Sequence, residues 1–399
     1  MDFSISKEEE EFLENFHRFC QSRILPHVEE VEKKGFVPLT HFKALSEVGY
    51  TGMLHDFEYG GSGGTYLQST MTQEILAEYC GSIFFSVGAS VGLFGHPIKD
   101  FGTAEQKEKY LPPIIKGEKI GALGVTEPIA GSDVSSLQSH VRPSNGKLLL
   151  NGQKTYITNA PVCDYALILA DYTEGNGHKK GLTCFIVDVK SDGVSVGKPM
   201  EKLGLKGSPT GEIFFEDVYI REEDILGRPG KGFQIIMQAF NRERLGLGAY
   251  SVGVMAACLK DCKSYSKQRK SFGKIIAKHQ SVSFMLADIL TKYEASKILL
   301  YETAWMMDEY QERIKNGEKV VHNNFLVDLT AKASLLKLLA STYAREVTNL
   351  AVQIHGGAGY MEEFRVARMY RDIKLAEIGG GTSEIQKQII ARSEAKRVK

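Results

Sequence analysis

Apolar residues near the start of the chain fall at helical steps. Phe12, Leu13, Phe16, Phe19 and Cys20 share one face, behind a Ser6/Glu9 pair spaced as a capping box. An amphipathic helix therefore opens the protein, and Glu8, Glu9, Glu10 and Glu11 occupy its first turn, where carboxylates meet the positive end of the helix dipole. Helical patterning continues to about residue 120. Gly60-Gly61-Ser62-Gly63-Gly64 interrupts it without the Gly-Lys-Ser/Thr ending or preceding strand of a phosphate loop, and reads as a connection between helices. From 121 to 227 the pattern changes to short β-branched runs at 147–150, 165–170, 182–189 and 212–220, punctuated by Asn145-Gly146 and Asn151-Gly152. That spacing predicts a mainly antiparallel, barrel-like β-domain built from hairpins. After Gly227-Arg228-Pro229-Gly230 the helical period returns, as in Phe325, Leu329, Ala333, Leu336, Ala340, Tyr343, Val347, Ala351 and Ile354, and predicts a helix bundle. The expected architecture is mainly α with a central β-domain, divided at 1–120, 121–227 and 228–399.

Composition narrows the function. The 399 residues carry 49 Lys+Arg and 49 Asp+Glu, so no basic field exists to gather nucleic acid or an anionic membrane. No run of about twenty apolar residues is evident, and Met1-Asp2-Phe3-Ser4 lacks the regions of a secretory signal, so neither membrane insertion nor export is expected. Six scattered cysteines read as reduced core residues, and the ten histidines form no metal-ligand spacing, so no metal is expected.

Five segments offer chemistry. Residues 124–133, Gly-Val-Thr-Glu-Pro-Ile-Ala-Gly-Ser-Asp, could bring backbone N–H groups against a planar or phosphorylated ligand, or be a plain turn. Tyr156 and Thr158 alternate onto one face, which suits a flat heterocycle and equally an ordinary strand. Arg269-Lys270-Ser271-Phe272-Gly273 breaks one helical run, and the glycines after His355 end another, either as a ligand contact or as a simple helix stop. Gly379-Gly380-Gly381-Thr382-Ser383-Glu384 starts a helix, where free N–H groups could dock an oxygen or merely be capped.

In this order the segments resemble the acyl-CoA dehydrogenase family over nearly the whole chain. Residues 125–133 resemble the family's first signature; 353–359, followed by Glu363, Arg368 and Asp372, resemble its second. Tyr156-Ile157-Thr158-Asn159, Lys202-Leu203-Gly204, Phe215-Glu216-Asp217-Val218 and the stretch from Arg269 to Gln280 lie between them at family spacing. The resemblance implies a helical N-terminal domain, a β-domain and a C-terminal four-helix bundle, with FAD between the last two. It implies that Thr126, Gly131 and Ser132 line the flavin and pyrophosphate, and that Tyr156, in place of the more usual Trp, and Thr158 meet the isoalloxazine. By the same resemblance Arg269, Phe272, Gln280, Gln353 and Gly357 reach FAD from a neighbouring subunit of a homo-oligomer, a dimer or a dimer of dimers, and Thr382 and Glu384 contact it at the start of the last helix.

One position departs from the common pattern. Many family members carry the catalytic glutamate immediately before Gly-Thr-Ser, where this chain has Gly380. A subset, including isovaleryl-CoA and long-chain acyl-CoA dehydrogenases, places it on the first bundle helix in Glu-Arg-Leu, and Asn241-Arg242-Glu243-Arg244-Leu245 resembles that arrangement. The small apolar residues after Arg244 would let a ligand approach and would desolvate Glu243, strengthening it as a base. Surface pairing of Glu243 with Arg242 or a lysine is the alternative, and Glu377 is the other candidate base. The resemblance implies α-proton removal from an acyl-CoA by Glu243, β-hydride loss to the flavin, a trans-2-enoyl-CoA product, and an oxyanion donor at the Gly380 N–H. Ser132, Asn241 and Arg244 match positions near the CoA chain, and an electron-transfer flavoprotein is the expected electron acceptor.

The segment 86–93 aligns with the acyl-pocket wall and is small in side chains, so with residues 379–381 it predicts a wide pocket for a short branched or cyclic acyl group, or a deep one for a longer chain. No lone arginine there points to a dicarboxylate. A non-catalytic scaffold, an acyl-CoA oxidase and an enoyl-CoA reductase on the same site are the competing expectations. A family-like start so close to Met1 fits the bacterial cytoplasm, or the mitochondrial matrix after removal of a transit peptide.

Overall fold

The computed structural model describes residues 6–175, 177–322 and 325–397. Seven helices form the first layer: α1 (Lys7–Phe19), α2 (Val28–Lys34), α3 (Leu39–Glu47), α4 (Tyr66–Tyr79), α5 (Gly81–Gly88), α6 (His96–Phe101) and α7 (Ala104–Ile115). The capping box forms as read: Ser6 Oγ accepts from the Glu9 N–H at 3.2 Å and Glu9 accepts from the Ser6 N–H at 2.9 Å. Of the predicted face of α1, Phe16 and Cys20 reach the core, while Phe12 stays exposed. Between α5 and α6 the backbone widens into a π-helical turn, Ala89–Gly95, a distortion frequent beside functional sites. The continuous helical stretch Gly81–Phe101 is long and apolar enough to cross a membrane, contrary to the sequence expectation, but 78% of its most apolar window is buried inside the protein and it packs as a core element.

The central layer holds β1 (Gly121–Gly124), β2 (His140–Ser144), β3 (Lys147–Thr158), β4 (Tyr165–Thr173), β5 (Lys179–Asp188), β6 (Val194–Val196), β7 (Thr210–Ile220) and β8 (Ile225–Leu226). They join in the order β6-β7-β3-β2-β4-β5-β8, with β1 beside β4. The pairs β1–β4 and β2–β4 are parallel and the rest antiparallel. Asn145 (φ 49°) and Gly146 (φ 74°) make the two-residue β2–β3 turn with positive φ at both positions, the type I′ signature. Asn151-Gly152 is not a turn: β3 runs through it with a bulge, because Gly152 lies against Ser139, whose Oγ would be 2.4 Å from an added Cβ.

The last layer comprises α8 (Gly232–Gln268), a short hairpin of β9 (Lys270–Ser271) and β10 (Lys274–Ile275), α9 (Gln280–Lys315), a second hairpin of β11 (Val321–His322) and β12 (Phe325–Leu326), α10 (Leu329–His355), α11 (Arg365–Asp372), α12 (Lys374–Ile378) and α13 (Ser383–Arg397). Helices α8, α9, α10 and α13 pack as the bundle, and α4 lies against α8 and α9. Phe325, read as the first residue of the α10 stripe, is instead in β12. Asp328 ends that hairpin and caps the helix by accepting from the Ala331 N–H at 3.0 Å. All six cysteines are buried and unpaired with one another.

Candidate active site

The three layers meet around a cavity of about 1320 Å³, larger than the few hundred to about 1000 Å³ typical of a single-ligand pocket. Its floor is α8. Glu243 and Arg244 line it there, and residues 379–382 close it from the side of α13. Arg244 is 2% exposed and donates to Asn241 Oδ1 at 2.6 Å and to the Gly380 carbonyl at 3.4 Å. Asn241 does not line the cavity, contrary to its assignment near the CoA chain. Its amide donates to Thr330 at 2.9 Å and its oxygen fixes Arg244, so it acts behind the wall.

Glu243 is half-buried and lines the cavity. No described residue donates a hydrogen bond to it or pairs with it as a salt bridge. Arg242, its alternative partner, instead pairs with Asp100 at 2.7 Å and donates to the Tyr66 hydroxyl at 2.7 Å. Burial pushes the Glu243 carboxyl up to about 7, against the opposing pull of the Arg244 and Lys337 cations. Glu377, the other candidate base, accepts from Arg345 at 2.9 Å and Lys374 at 2.6 Å outside the cavity; these bonds outweigh its burial and hold its carboxyl below the usual range.

Gly380 has φ +63°, and a Cβ there would fall 2.9 Å from Leu247 Cδ1 and 3.4 Å from the Glu243 carboxyl. A Cβ at 380 would therefore press on Leu247 and touch the Glu243 carboxyl. The Gly380 N–H donates to no described group, while its carbonyl accepts from Gln386 Nε2 at 3.1 Å. Gly381 is clamped in turn by Gln386 at 2.7 Å and Lys337 Nζ at 2.8 Å. Lys337 is fully buried, and burial lowers its ammonium to about 8. The sequence reading missed both clamps, although a lysine inside the apolar stripe of α10 was a visible signal.

Thr126, Gly131, Ser132, Tyr156 and Thr158 line the opposite wall. Tyr156 sits at φ 57° where the β3–β7 ladder loses register between Lys154 and Ile157, and its ring is 69% exposed toward the cavity side. The hydroxyls of Thr126, Ser132 and Thr158 have no partner among the described residues, and a Cβ on Gly131 would meet nothing within 4 Å. An uncovered aromatic face, free hydroxyls and an open backbone fit a flavin. Beneath this loop Glu127 accepts from buried Lys154 at 2.6 Å and from the Ser139 N–H at 2.9 Å, anchoring it to β3.

Thr382 also lines the cavity and caps α13, accepting from the Ile385 N–H at 3.4 Å. Glu384 turns outward and does not line it. Arg269, Phe272, Gln280, Gln353 and Gly357 are all exposed away from the cavity, Phe272 at 94% on the β9–β10 turn. On the acyl wall Gly88 and Gly92 leave open space, with nothing within 4 Å of an added Cβ. Ser86 and Ser90 instead tie the helix to Ser208 at 3.1 Å and to the Gly121 N–H at 2.9 Å.

Comparison with known proteins matches the N-terminal, middle and C-terminal domain models of acyl-CoA dehydrogenase to residues 6–118, 122–218 and 230–395. The CarC subunit of the caffeyl-CoA reductase-Etf complex of Acetobacterium woodii is 40% identical, over 91% of this chain and 92% of that one. Mitochondrial isovaleryl-CoA dehydrogenase of Solanum tuberosum is 36% identical over 96% and 90%. The structure of butyryl-CoA dehydrogenase from Megasphaera elsdenii superposes with a TM-score of 0.89 at 37% identity, over 99% of this chain and all of that one.

Proposed function

Because this chain belongs to the acyl-CoA dehydrogenase family and is a FAD-dependent oxidoreductase, we propose that Glu243 is the base that removes the α-proton of an acyl-CoA thioester on the way to a trans-2-enoyl-CoA. FAD, held by Thr126, Ser132, Tyr156 and Thr158, supplies the two-electron acceptor. The observation that carries the reading is the Glu243 carboxylate, without a hydrogen-bond partner among the described residues, raised to about 7 by burial and placed 3.4 Å from where a residue-380 Cβ would stand. A base poised near neutral pH combines adequate ionisation with a strong pull on the proton. The free Gly380 N–H is the donor for the thioester oxygen as enolate-like charge develops. Arg244, Lys337 and Gln386 hold that loop by its carbonyls, so the N–H is aimed before substrate arrives.

A short branched or cyclic acyl group is the proposed substrate. The space at Gly88 and Gly92, the bare backbone of residues 379–381 and the isovaleryl-CoA relative support it. Electrons then leave to an electron-transfer flavoprotein, as the Etf-complex relative supports. Arg269, Phe272, Gln280, Gln353 and Gly357, exposed away from their own cavity, would complete the FAD site of a neighbouring copy in a dimer of dimers. The same relative, named a reductase, favours a second reading in which Glu243 returns the proton to an enoyl-CoA. Anaerobic bleaching of flavin absorbance by straight, branched and cyclic acyl-CoAs tests the function. Bleaching by one class is expected. No bleaching by any, with enoyl-CoAs reoxidising the reduced protein, would establish the reverse direction.

A further inference from the structure

We propose that the acyl end of the cavity selects an acyl group whose far end carries a neutral hydrogen-bonding oxygen, a hydroxyl, phenol or carbonyl, received by the Tyr66 hydroxyl in its pairing with Arg242. The inference rests on the reading of the Glu243 cavity given above. Tyr66 opens α4 and lines the cavity one residue along α8 from the base, through its contact with Arg242. Its oxygen accepts from Arg242 Nε at 2.7 Å, so its own proton remains to be donated, and no described residue takes it. Thr70, one turn further on the same face of α4, is 1% exposed and its Oγ1 has no partner among the described residues. Tyr50, 8% exposed and also on the wall, has a hydroxyl that makes no hydrogen bond with a described residue. A purely alkyl tail would leave these hydroxyls unsatisfied, whereas an oxygen at its far end answers at least one of them.

Charge fixes the kind of oxygen. The Arg242 guanidinium is matched by Asp100 at 2.7 Å, and Lys99, next to Asp100 in sequence, is engaged by Asp56 at 3.2 Å and by the Leu54 carbonyl. His96 on the same wall is neutral, since burial holds its imidazole well below the usual range. Among the described residues around Tyr66, the cations Arg242, Lys99 and Lys315 are thus already paired with carboxylates, and a terminal carboxylate there would also face Asp100. Leu54, Tyr66, His96 and Arg242 are shared with a second cleft of about 180 Å³, whose other walls include Asp100, Asp308 and Lys315. Around Tyr66 the cavity is therefore backed by polar groups as well as by apolar ones such as Leu54 and Met307. A site that hydrogen-bonds a substrate oxygen discriminates against its absence far more strongly than an apolar pocket discriminates by size.

Two pairs of thioesters test this on the holoenzyme: 4-hydroxybutyryl-CoA against butyryl-CoA, and 3-(4-hydroxyphenyl)propionyl-CoA against 3-phenylpropionyl-CoA, with glutaryl-CoA as the charged control. In at least one pair the oxygenated member is expected to bleach flavin with a kcat/KM at least tenfold above its parent, and glutaryl-CoA to be slower than either. Tyr66→Phe is expected to lower that ratio at least fivefold, and Thr70→Val supplies a second variant should the first not fold. Calorimetric Kd values on Glu243→Gln read the same preference without turnover. Ratios within twofold in both pairs, or a ratio unmoved by Tyr66→Phe, overturn the inference while leaving Glu243 in place. Absence of bleaching by every thioester, with no reoxidation of the reduced protein by the matching enoyl-CoAs, instead removes the Glu243 reading, and this inference falls with it.

Discussion

Replacing Glu243 by glutamine is expected to slow turnover steeply and, above pH 7, to stabilise the protein. The folded chain holds this proton with a value of about 7 against 4.5 for a free carboxyl. The folded state thus binds it more tightly than the unfolded state, and stability falls as pH rises from 4.5 to 7. The total loss from this group is about 3 kcal/mol. Glutamine keeps the shape and carries no titrating proton. Parent and variant should therefore differ little near pH 5, and the variant should be about 2–3 kcal/mol the more stable at pH 8. Urea unfolding of both proteins at the two pH values, at fixed FAD concentration, reads the difference. Flavin bleaching should slow by about 10²–10⁴, the range for losing a general base. A stability difference that is the same at both pH values would refute the desolvated-carboxylate argument, as would a variant less stable than the parent at pH 8.

Other consequences are as direct. The acid limb of kcat/KM should lie near pH 7, activity rising as Glu243 loses its proton, and a limb near 4.5 would place the base elsewhere. Lys337→Met removes the cation that favours ionised Glu243 and the 2.8 Å clamp on Gly381, so the acid limb should move to higher pH and kcat fall about tenfold with a smaller change in KM; an unmoved limb would leave Lys337 a purely structural role. Gly380→Ala puts a Cβ in left-handed backbone 2.9 Å from Leu247, and should cost about 1–2 kcal/mol in unfolding experiments besides slowing turnover. Glu127→Ala leaves the Lys154 ammonium buried and unpaired beneath the flavin loop, a loss of about 3–5 kcal/mol by chemical denaturation accompanied by weaker FAD retention.

Much of this organisation was legible locally. The Ser6/Glu9 capping box, the Asn145-Gly146 hairpin and the two changes of period each depend on a few neighbouring residues, and each appears where the pattern placed it. Glu243 was reached through the resemblance of Asn241–Leu245 to the Glu-Arg-Leu arrangement, and the structure places it on the cavity wall. What escaped was decided by partners distant in sequence. The Asn151-Gly152 pair obeyed its strand and not its turn propensity because Ser139 packs against it. Phe325 fitted the α10 period, yet Asp328 starts the helix after it. Asn241 stood beside the base in sequence but turns to Thr330 and Arg244 behind the wall. Lys337 interrupts the apolar stripe, but its purpose appears only when Gly381, 44 residues later, is beside it. The Tyr66–Arg242 contact joins residues 176 apart and has no local signature at all.

The central claim is that Glu243, and not Glu377, takes the α-proton. Release of deuterium from the α-position of a labelled acyl-CoA into water, measured for the parent, Glu243→Gln and Glu377→Gln, tests it most directly. The account predicts release by Glu377→Gln within a few-fold of the parent, and release by Glu243→Gln slowed by about 10² or more with FAD still bound. Release from Glu243→Gln at the parental rate would contradict it.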